Sequence, residues 1–322
     1  MNTVLSCNHH QRIRSGGNLA ALVAAAFVCV VTTLAHAQQS FGTPEEAADA
    51  LASAVRSGNW KSIATVLGRG SIDIAVSGDQ VADAAARQRF VAAYDAKHQI
   101  TKDGDNNAVM IIGGEDFPFP IPLVRKGDAW KFDTAAGRQE ILYRRIGRNE
   151  LDAIQVCLAY VDAQNEYAEK DRTGAGVGIY AQRILSQPGK KDGLYWPAAQ
   201  SDDSKSPLGE LVAGATAEGY RARAGGRRSP YHGYYYRILT RQGPNVKGGA
   251  LNYVVDGKMI GGFALIAYPA QYGNSGVMTF LVSHDGVVYQ KDFGPRTARI
   301  AEAITSYNPD QTWKKVDATL VR

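Results

Sequence analysis

The sequence predicts an α+β protein, and three observations carry that expectation. Apolar residues recur at helical spacing once residue 37 is passed, strand-length apolar runs separated by glycine turns follow, and this helix-then-strand succession occurs twice. The order implies a small helix-plus-antiparallel-sheet unit over residues 38–135. A second unit, residues 136–322, would pack a long helix on an antiparallel sheet.

Residues 1–37 read differently. Arg12 and Arg14 form a positive start, Leu19 to Leu34 is an apolar run, and Ala35-His36-Ala37 is a small-x-small site. This is the layout of a secretory signal peptide, with cleavage after Ala37 leaving Gln38 first. The apolar run is about 16 residues, short of the roughly 20 needed to span a bilayer. No second run follows, so no membrane span is expected after processing, and the expected location is periplasmic or secreted. Cys7 and Cys29 leave with this segment, and Cys157 cannot form an intramolecular disulfide alone. Stability must then come from a packed core, for which 45% hydrophobic residues are ample. Loss of two arginines lowers the formal net charge from +5 to +3, too little to argue for a nucleic-acid partner.

The first element starts at Thr43-Pro44-Glu45-Glu46, with a threonine cap, proline at the first helical position and glutamate three after the cap. Ala47, Leu51, Ala54 and Val55 carry its apolar face, and Gly58 stops it. Trp60 to Leu67 predicts a second helix, and Asp79 caps a third whose candidate core positions are Val81, Ala85, Phe90, Val91 and Tyr94. His98 is expected at that helix's end, where a cation suits the negative dipole. Ala108 to Ile112 predicts a strand, and Phe117 to Pro122 is too proline-rich for anything but an edge or extended loop. Leu123 to Arg125 and Ala129 to Phe132 flank the hairpin residues Lys126-Gly127-Asp128.

A long helix is expected from about Arg138 to Lys170, with a break near Gly147 and Asn149. Ile141, Leu142, Ile146, Leu151, Ile154, Leu158 and Val161 supply its apolar side, with Cys157 buried among them, and Asp162, Glu166 and Glu169 a solvated face. Residues 172–230 are loop-rich. Five strands are then expected, over Tyr234 to Thr240, Leu251 to Val255, Met259 to Ala267, Val277 to Ser283 and Val287 to Lys291. Asp256-Gly257 and Asp285-Gly286 both predict type I′ hairpin turns, because glycine takes the positive φ they require. A helix from Thr297 to Ser306 and a Trp313 tail close the chain.

Several segments carry a family likeness: Trp60 to Gly68, Phe117 to Pro122, the run Pro230-Tyr231-His232-Gly233-Tyr234-Tyr235-Tyr236-Arg237, and Tyr268 to Val277 continuing through Phe280 to Gly286. On these residues the chain resembles a bacterial exported family known as domain of unknown function 2950. The resemblance implies secretion and a shared fold, and it brings no catalytic residues. Residues 138–292 are also similar in architecture to the globular part of type IV pilins and pseudopilins. A long helix precedes a sheet there, and Tyr272-Gly273-Asn274-Ser275-Gly276 leads into a strand and the Asp285-Gly286 turn. Assembling pilins begin with an apolar helix carrying an early acid. Here a signal and another unit come first and Arg144, Arg145 and Arg148 stud the helix, so the likeness implies fold kinship without filament assembly.

The residues offer little chemistry. Gly174-Ala175-Gly176-Val177-Gly178 follows a helix where a dinucleotide fingerprint needs a strand, and no Gly-x-Ser-x-Gly elbow occurs. Neither a metal site nor a cofactor is expected, since His98, His232 and His284 stand in no zinc-ligand spacing. A hydrolase would have to draw on His232, His284 and Asp285, brought together by strand pairing. The favoured expectation is a non-enzymatic envelope protein that binds a protein partner or a glycan polymer. Its surface would comprise Arg227, Arg228, Tyr231, His232, Tyr235 and Arg237, where guanidinium groups meet aromatic faces. Strand alternation puts Tyr235 with Arg237 and Leu239, and Tyr234 with Tyr236 and Ile238; the arginine would mark the wetter face.

Overall fold

The computed structural model describes residues 38–197, 205–220 and 229–317. The chain first lays down α1 (Pro44–Arg56), α2 (Trp60–Leu67), the short α3 (Ile72–Ala75) and α4 (Gln80–Ala96). The cap of α1 is the one its sequence predicts. Thr43 Oγ1 accepts from Glu46 N at 3.1 Å, while the Glu46 carboxylate reaches one residue further back than in a standard capping box, to Gly42 N at 2.9 Å. Asp79 likewise caps α4, accepting from Val81 N and Ala82 N at 3.1 Å each.

An antiparallel sheet follows, made of β1 (His98–Asp103), β2 (Asn107–Ile112), β3 (Phe117–Pro118), β4 (Leu123–Lys126) and β5 (Ala129–Phe132). His98 does sit just past the end of α4, with Nδ1 2.8 Å from Tyr94 O and its ring stacked 3.9 Å from that tyrosine, but it also opens β1. The proline-rich stretch takes the edge: β3 and then β4 pair in turn with β2, and after Phe119 N donates to Met110 O at 2.7 Å the ladder lapses over Pro120 to Pro122. Leu51, Ile63, Leu67, Met110, Leu123 and Phe132 are among the residues of the resulting core.

From there α5 runs unbroken from Thr134 to Ala168, a rod of about 52 Å at 1.5 Å per residue. The expected break is absent because Gly147 keeps helical geometry on the exposed side and Asn149 spends its side chain elsewhere, donating to Ser275 O at 2.9 Å. The buried stripe is also more polar than expected. It follows Asn149, Ala153, Cys157, Tyr160 and Gln164, whereas Leu151 points outward with 46% of its surface exposed. Gln164 has no solvent contact because both ends of its amide are bonded to Ala181, donating to its oxygen at 2.7 Å and accepting from its nitrogen at 2.8 Å. Cys157 is fully buried, and burial pushes its thiol up to about 12. The expected acidic face of Asp162, Glu166 and Glu169 is exposed.

Within the loop-rich stretch lies α6 (Gly209–Ala217), which periodicity did not signal. The remaining strands are β6 (Tyr234–Leu239), β7 (Arg241–Gln242), β8 (Leu251–Asn252), β9 (Val254–Val255), β10 (Lys258–Met259), β11 (Ala264–Pro269), β12 (Met278–Ser283) and β13 (Tyr289–Asp292). After a 3-10 turn at Gly294–Arg296, α7 (Thr297–Ala303) and β14 (Lys314–Lys315) complete the chain. Five strands form an antiparallel sheet in the order β14-β13-β12-β11-β6. The strand expected from Met259 to Ala267 divides in two at Gly261-Gly262, where Gly262 takes φ +128°. Asp256-Gly257 is the expected type I′ turn, with φ of 48° and 75°, and joins β9 to β10. At Asp285-Gly286 only the glycine has positive φ, so this turn is of another type. Asp285 stabilises it by accepting from Ser283 Oγ at 2.8 Å and Val287 N at 3.1 Å.

Two apolar clusters result, one under the first sheet and one between α5 and the second sheet, yet the described residues belong to one compact unit. The seam between the clusters is polar. Half-buried Arg145 donates to the carbonyls of Asp73 and Ile74 and to Asn274 Oδ1; Asn274 Nδ2 donates to Val76 O at 3.0 Å. Glu150 accepts from Val277 N and Met278 N at 2.9 and 3.0 Å. Among the described residues no helix is long and apolar enough to cross a membrane.

Candidate functional site

Four elements converge on His232. The residue sits in the turn before β6 with φ +49°, a left-handed conformation that histidine adopts more readily than bulkier side chains, and Gly233 continues it at φ +75°. This turn aims the imidazole at α5, where Asp152 Oδ2 lies 2.7 Å from Nδ1. On the other side Glu218, at the end of α6, places Oε2 3.0 Å from Nε2, off the line of the ring N–H, so the pair is an ion contact rather than an aligned hydrogen bond. Burial disfavours the imidazolium, but the bond and charge of Asp152 and then Glu218 outweigh it and raise the His232 pKa above its ordinary value.

Beneath this triad Asp79 joins the first half of the chain to the second. The residue is 2% exposed. One oxygen caps α4; the other accepts from Tyr220 Oη at 2.8 Å and from Gly233 N at 3.0 Å. Tyr220 also lies parallel to the His232 ring at 5.8 Å, and Tyr231 stands edge-on to both at 4.9 and 4.2 Å. Burial, then the charge of Asp79, raises the Tyr220 hydroxyl pKa; burial, then Glu218 and Asp152, takes that of Tyr231 up to about 12. A cleft of about 420 Å³ opens beside the histidine and is lined by Arg89, Arg148, Asp152, Glu218 and Tyr220 among others.

The expected surface is only partly assembled. Tyr231 and His232 belong to this cluster, whereas Arg227 and Arg228 lie outside the described residues. Tyr235 and Arg237 are elsewhere, and the face they share is not the wet one. The Arg237 guanidinium donates to Ala301 O at 2.8 Å and Ile304 O at 2.6 Å, so α7 and its C-terminal turn cover that side of β6. Tyr235 packs beside Tyr268 at 5.6 Å. Arginine here satisfies the open carbonyls of a helix end, a role that alternation along a strand does not reveal.

Nor do His232, His284 and Asp285 meet. Gly233 O accepts from Ala270 N just past one end of β11, and His284 N donates to Phe263 O just before the other. Seven residue steps, from Phe263 to Ala270, separate them along the strand, roughly 24 Å at 3.4 Å per residue. Asp79, Asp152, Glu218 and Tyr220 are the partners that sequence reasoning missed. Among the described residues no group of three or more His, Cys, Asp or Glu side chains has the arrangement of a metal site.

An α+β protein with a carboxylate-clamped histidine and a polar cleft is the class that this fold and site define. The family described as Protein of unknown function (DUF2950) matches residues 38–316, and the chain belongs to it. No curated protein and no solved structure matches the chain, and the similarity to pilins is not confirmed.

Proposed function

We propose that this is an exported, non-catalytic binding protein of the cell envelope, which holds a protein partner or glycan polymer in the cleft beside His232. One observation carries the reading: both ring nitrogens of His232 face carboxylates, at 2.7 and 3.0 Å. A general base needs a ring nitrogen open to the proton it takes, whereas here Nδ1 is bonded to Asp152 and Nε2 is buried beside Glu218. The cleft meanwhile presents guanidinium, carboxylate, amide and phenol groups at its wall, a set suited to hydrogen-bonding polyhydroxylated or charged chains. Export is supported by the Arg12/Arg14, Leu19 to Leu34 and Ala35-His36-Ala37 pattern.

A hydrolase reading draws on the Asp152–His232 pair, which has the orientation of an acid–histidine dyad. It requires Glu218 to leave Nε2. Screening the purified protein for binding to cell-wall and glycan materials, beside hydrolysis of the same materials, separates the two. Binding without turnover is expected; turnover that disappears in His232→Ala while the fold persists would overturn the proposal. N-terminal sequencing of protein from an export-competent host should begin at Gln38, and an intact Met1 on cytoplasmic protein would remove the export part.

A further inference from the structure

A second cavity, of about 350 Å³, lies in the first half of the chain, within the size range of small-molecule sites. Its walls are apolar: Leu51, Leu67, Phe90, Ile112, Phe119 and Ile141 come from α1, α2, α4, β2, the proline-rich segment and α5. Its remaining lining is strongly cationic, with Arg87, Arg89, Arg144, Arg145 and Arg148 around it. Two of these are engaged within the protein. Arg144 pairs with Glu140 and lies over the Phe117 ring at 4.7 Å, and Arg145 is spent on the seam carbonyls.

Arg87, Arg89 and Arg148 have no carboxylate within ion-pair distance among the described residues. The one acid lining the cavity among those residues, Asp83, does not neutralise them. Its carboxylate is taken up by Ser77 Oγ at 2.7 Å and Ser77 N at 3.1 Å, and burial raises its pKa. Arg89 and Arg148 are near enough to feel each other: burial, then the Arg148 charge, lowers the Arg89 pKa. Both arginines also line the polar cleft, so they stand between the two cavities. Two solvent-exposed like charges with no ion-pair partner among the described residues, beside an apolar pocket, suit an anion whose remaining body is hydrocarbon.

We infer that this cavity binds a single-chain carboxylate amphiphile, of the free fatty-acid class, with its chain against Leu51, Phe90 and Phe119 and its head between Arg89 and Arg148. A planar two-oxygen head matches the fork of a guanidinium, and the volume suits one chain rather than two. The hydrocarbon chain occupies a cavity apart from the polymer-binding cleft, and the two sites share Arg89 and Arg148 at their common wall.

Calorimetric titration of the purified protein with dodecanoate, below its micelle concentration, tests this, with dodecanol and dodecyl phosphate as twins. Saturable one-to-one binding of dodecanoate is expected, with dodecanol weaker by about 10-fold or more, the worth of a charge-assisted contact. In the double variant Arg89→Gln/Arg148→Gln the dodecanoate affinity should fall to that of dodecanol while dodecanol binds as before, which also shows that the cavity is intact. Ala86→Trp, at an exposed lining position, should block both. Absence of saturable dodecanoate binding, or an unchanged affinity in the double variant, overturns the inference. Tighter binding of dodecyl phosphate overturns the carboxylate assignment.

Discussion

Tyr220 donates its hydroxyl hydrogen to Asp79 across 141 residues of sequence, at 2.8 Å, on the same oxygen that receives Gly233 N. One buried carboxylate thus caps a helix of the first half and receives a loop of the second. Tyr220→Phe removes one of these bonds and should cost about 1–3 kcal/mol. Asp79→Ala loses the helix cap as well and should cost more, since a cap alone is worth about 1 kcal/mol. Urea unfolding reads both, and an Asp79→Ala loss no larger than that of Tyr220→Phe would contradict the double role.

The histidine clamp makes stability depend on pH in a defined direction. His232 has a folded pKa above its ordinary value, so its protonated form stabilises the fold fully below about 6.5, the unfolded value. That contribution is lost as pH rises through the folded value. Side-chain exposures of 36% for Asp152 and 49% for Glu218 leave the acids open to water, so the effect should be about 1 kcal/mol. His232→Gln should therefore lower unfolding free energy more at pH 5.5 than at pH 9. An equal loss at both pH values would show that the ring acts by packing alone.

Two glycines of α5 should respond oppositely to alanine. A Cβ at Gly147 meets nothing within 4 Å, so Gly147→Ala should stabilise by about 0.5–1 kcal/mol through helix propensity. A Cβ at Gly137 would lie 2.3 Å from Pro120 O, where helix and proline-rich edge touch backbone to backbone. Gly137→Ala should destabilise by about 1–3 kcal/mol, the usual cost of overpacking. Thermal melts of the two variants check the opposed signs.

Both faces of β6 are covered, which decides the tyrosines. Tyr234 shares a buried cluster with Cys157 of α5 and Tyr236 packs against that cluster, while Arg237 reaches α7 on the opposite side. Tyr235→Ala and Tyr236→Ala should each cost about 3 kcal/mol, the low end for buried aromatic truncation because neither ring is fully enclosed. Denaturant titration should find the two losses alike; a Tyr235→Ala variant as stable as the parent would restore that face as an open surface.

Local signals were legible wherever one stretch of chain determines its own shape. Thr43 and Asp79 announce helix starts because capping involves neighbours only, and Asp256-Gly257 announces a turn because two backbone angles suffice. The double helix-then-sheet order was readable for the same reason. Leu151 was misplaced because periodicity weighs hydrophobicity, while the buried stripe of α5 is set by Asn149 and Gln164, whose partners Ser275 and Ala181 come much later. The cluster at His232 was out of reach, since Asp152 and Glu218 acquire meaning only when α5 and α6 are in place.

The bond between Asp79 and Tyr220 also bears on how the chain is made. Ribosomes deliver roughly 5–20 residues per second, so 141 residues keep the aspartate waiting on the order of 10 s for its partner. During that interval α4 can form with its cap half used and one carboxylate oxygen open to water. Any product stalled short of Tyr220 carries that bare acid permanently. A chain truncated before Tyr220 would leave that carboxylate oxygen hydrated, whereas in the complete fold Asp79 is buried.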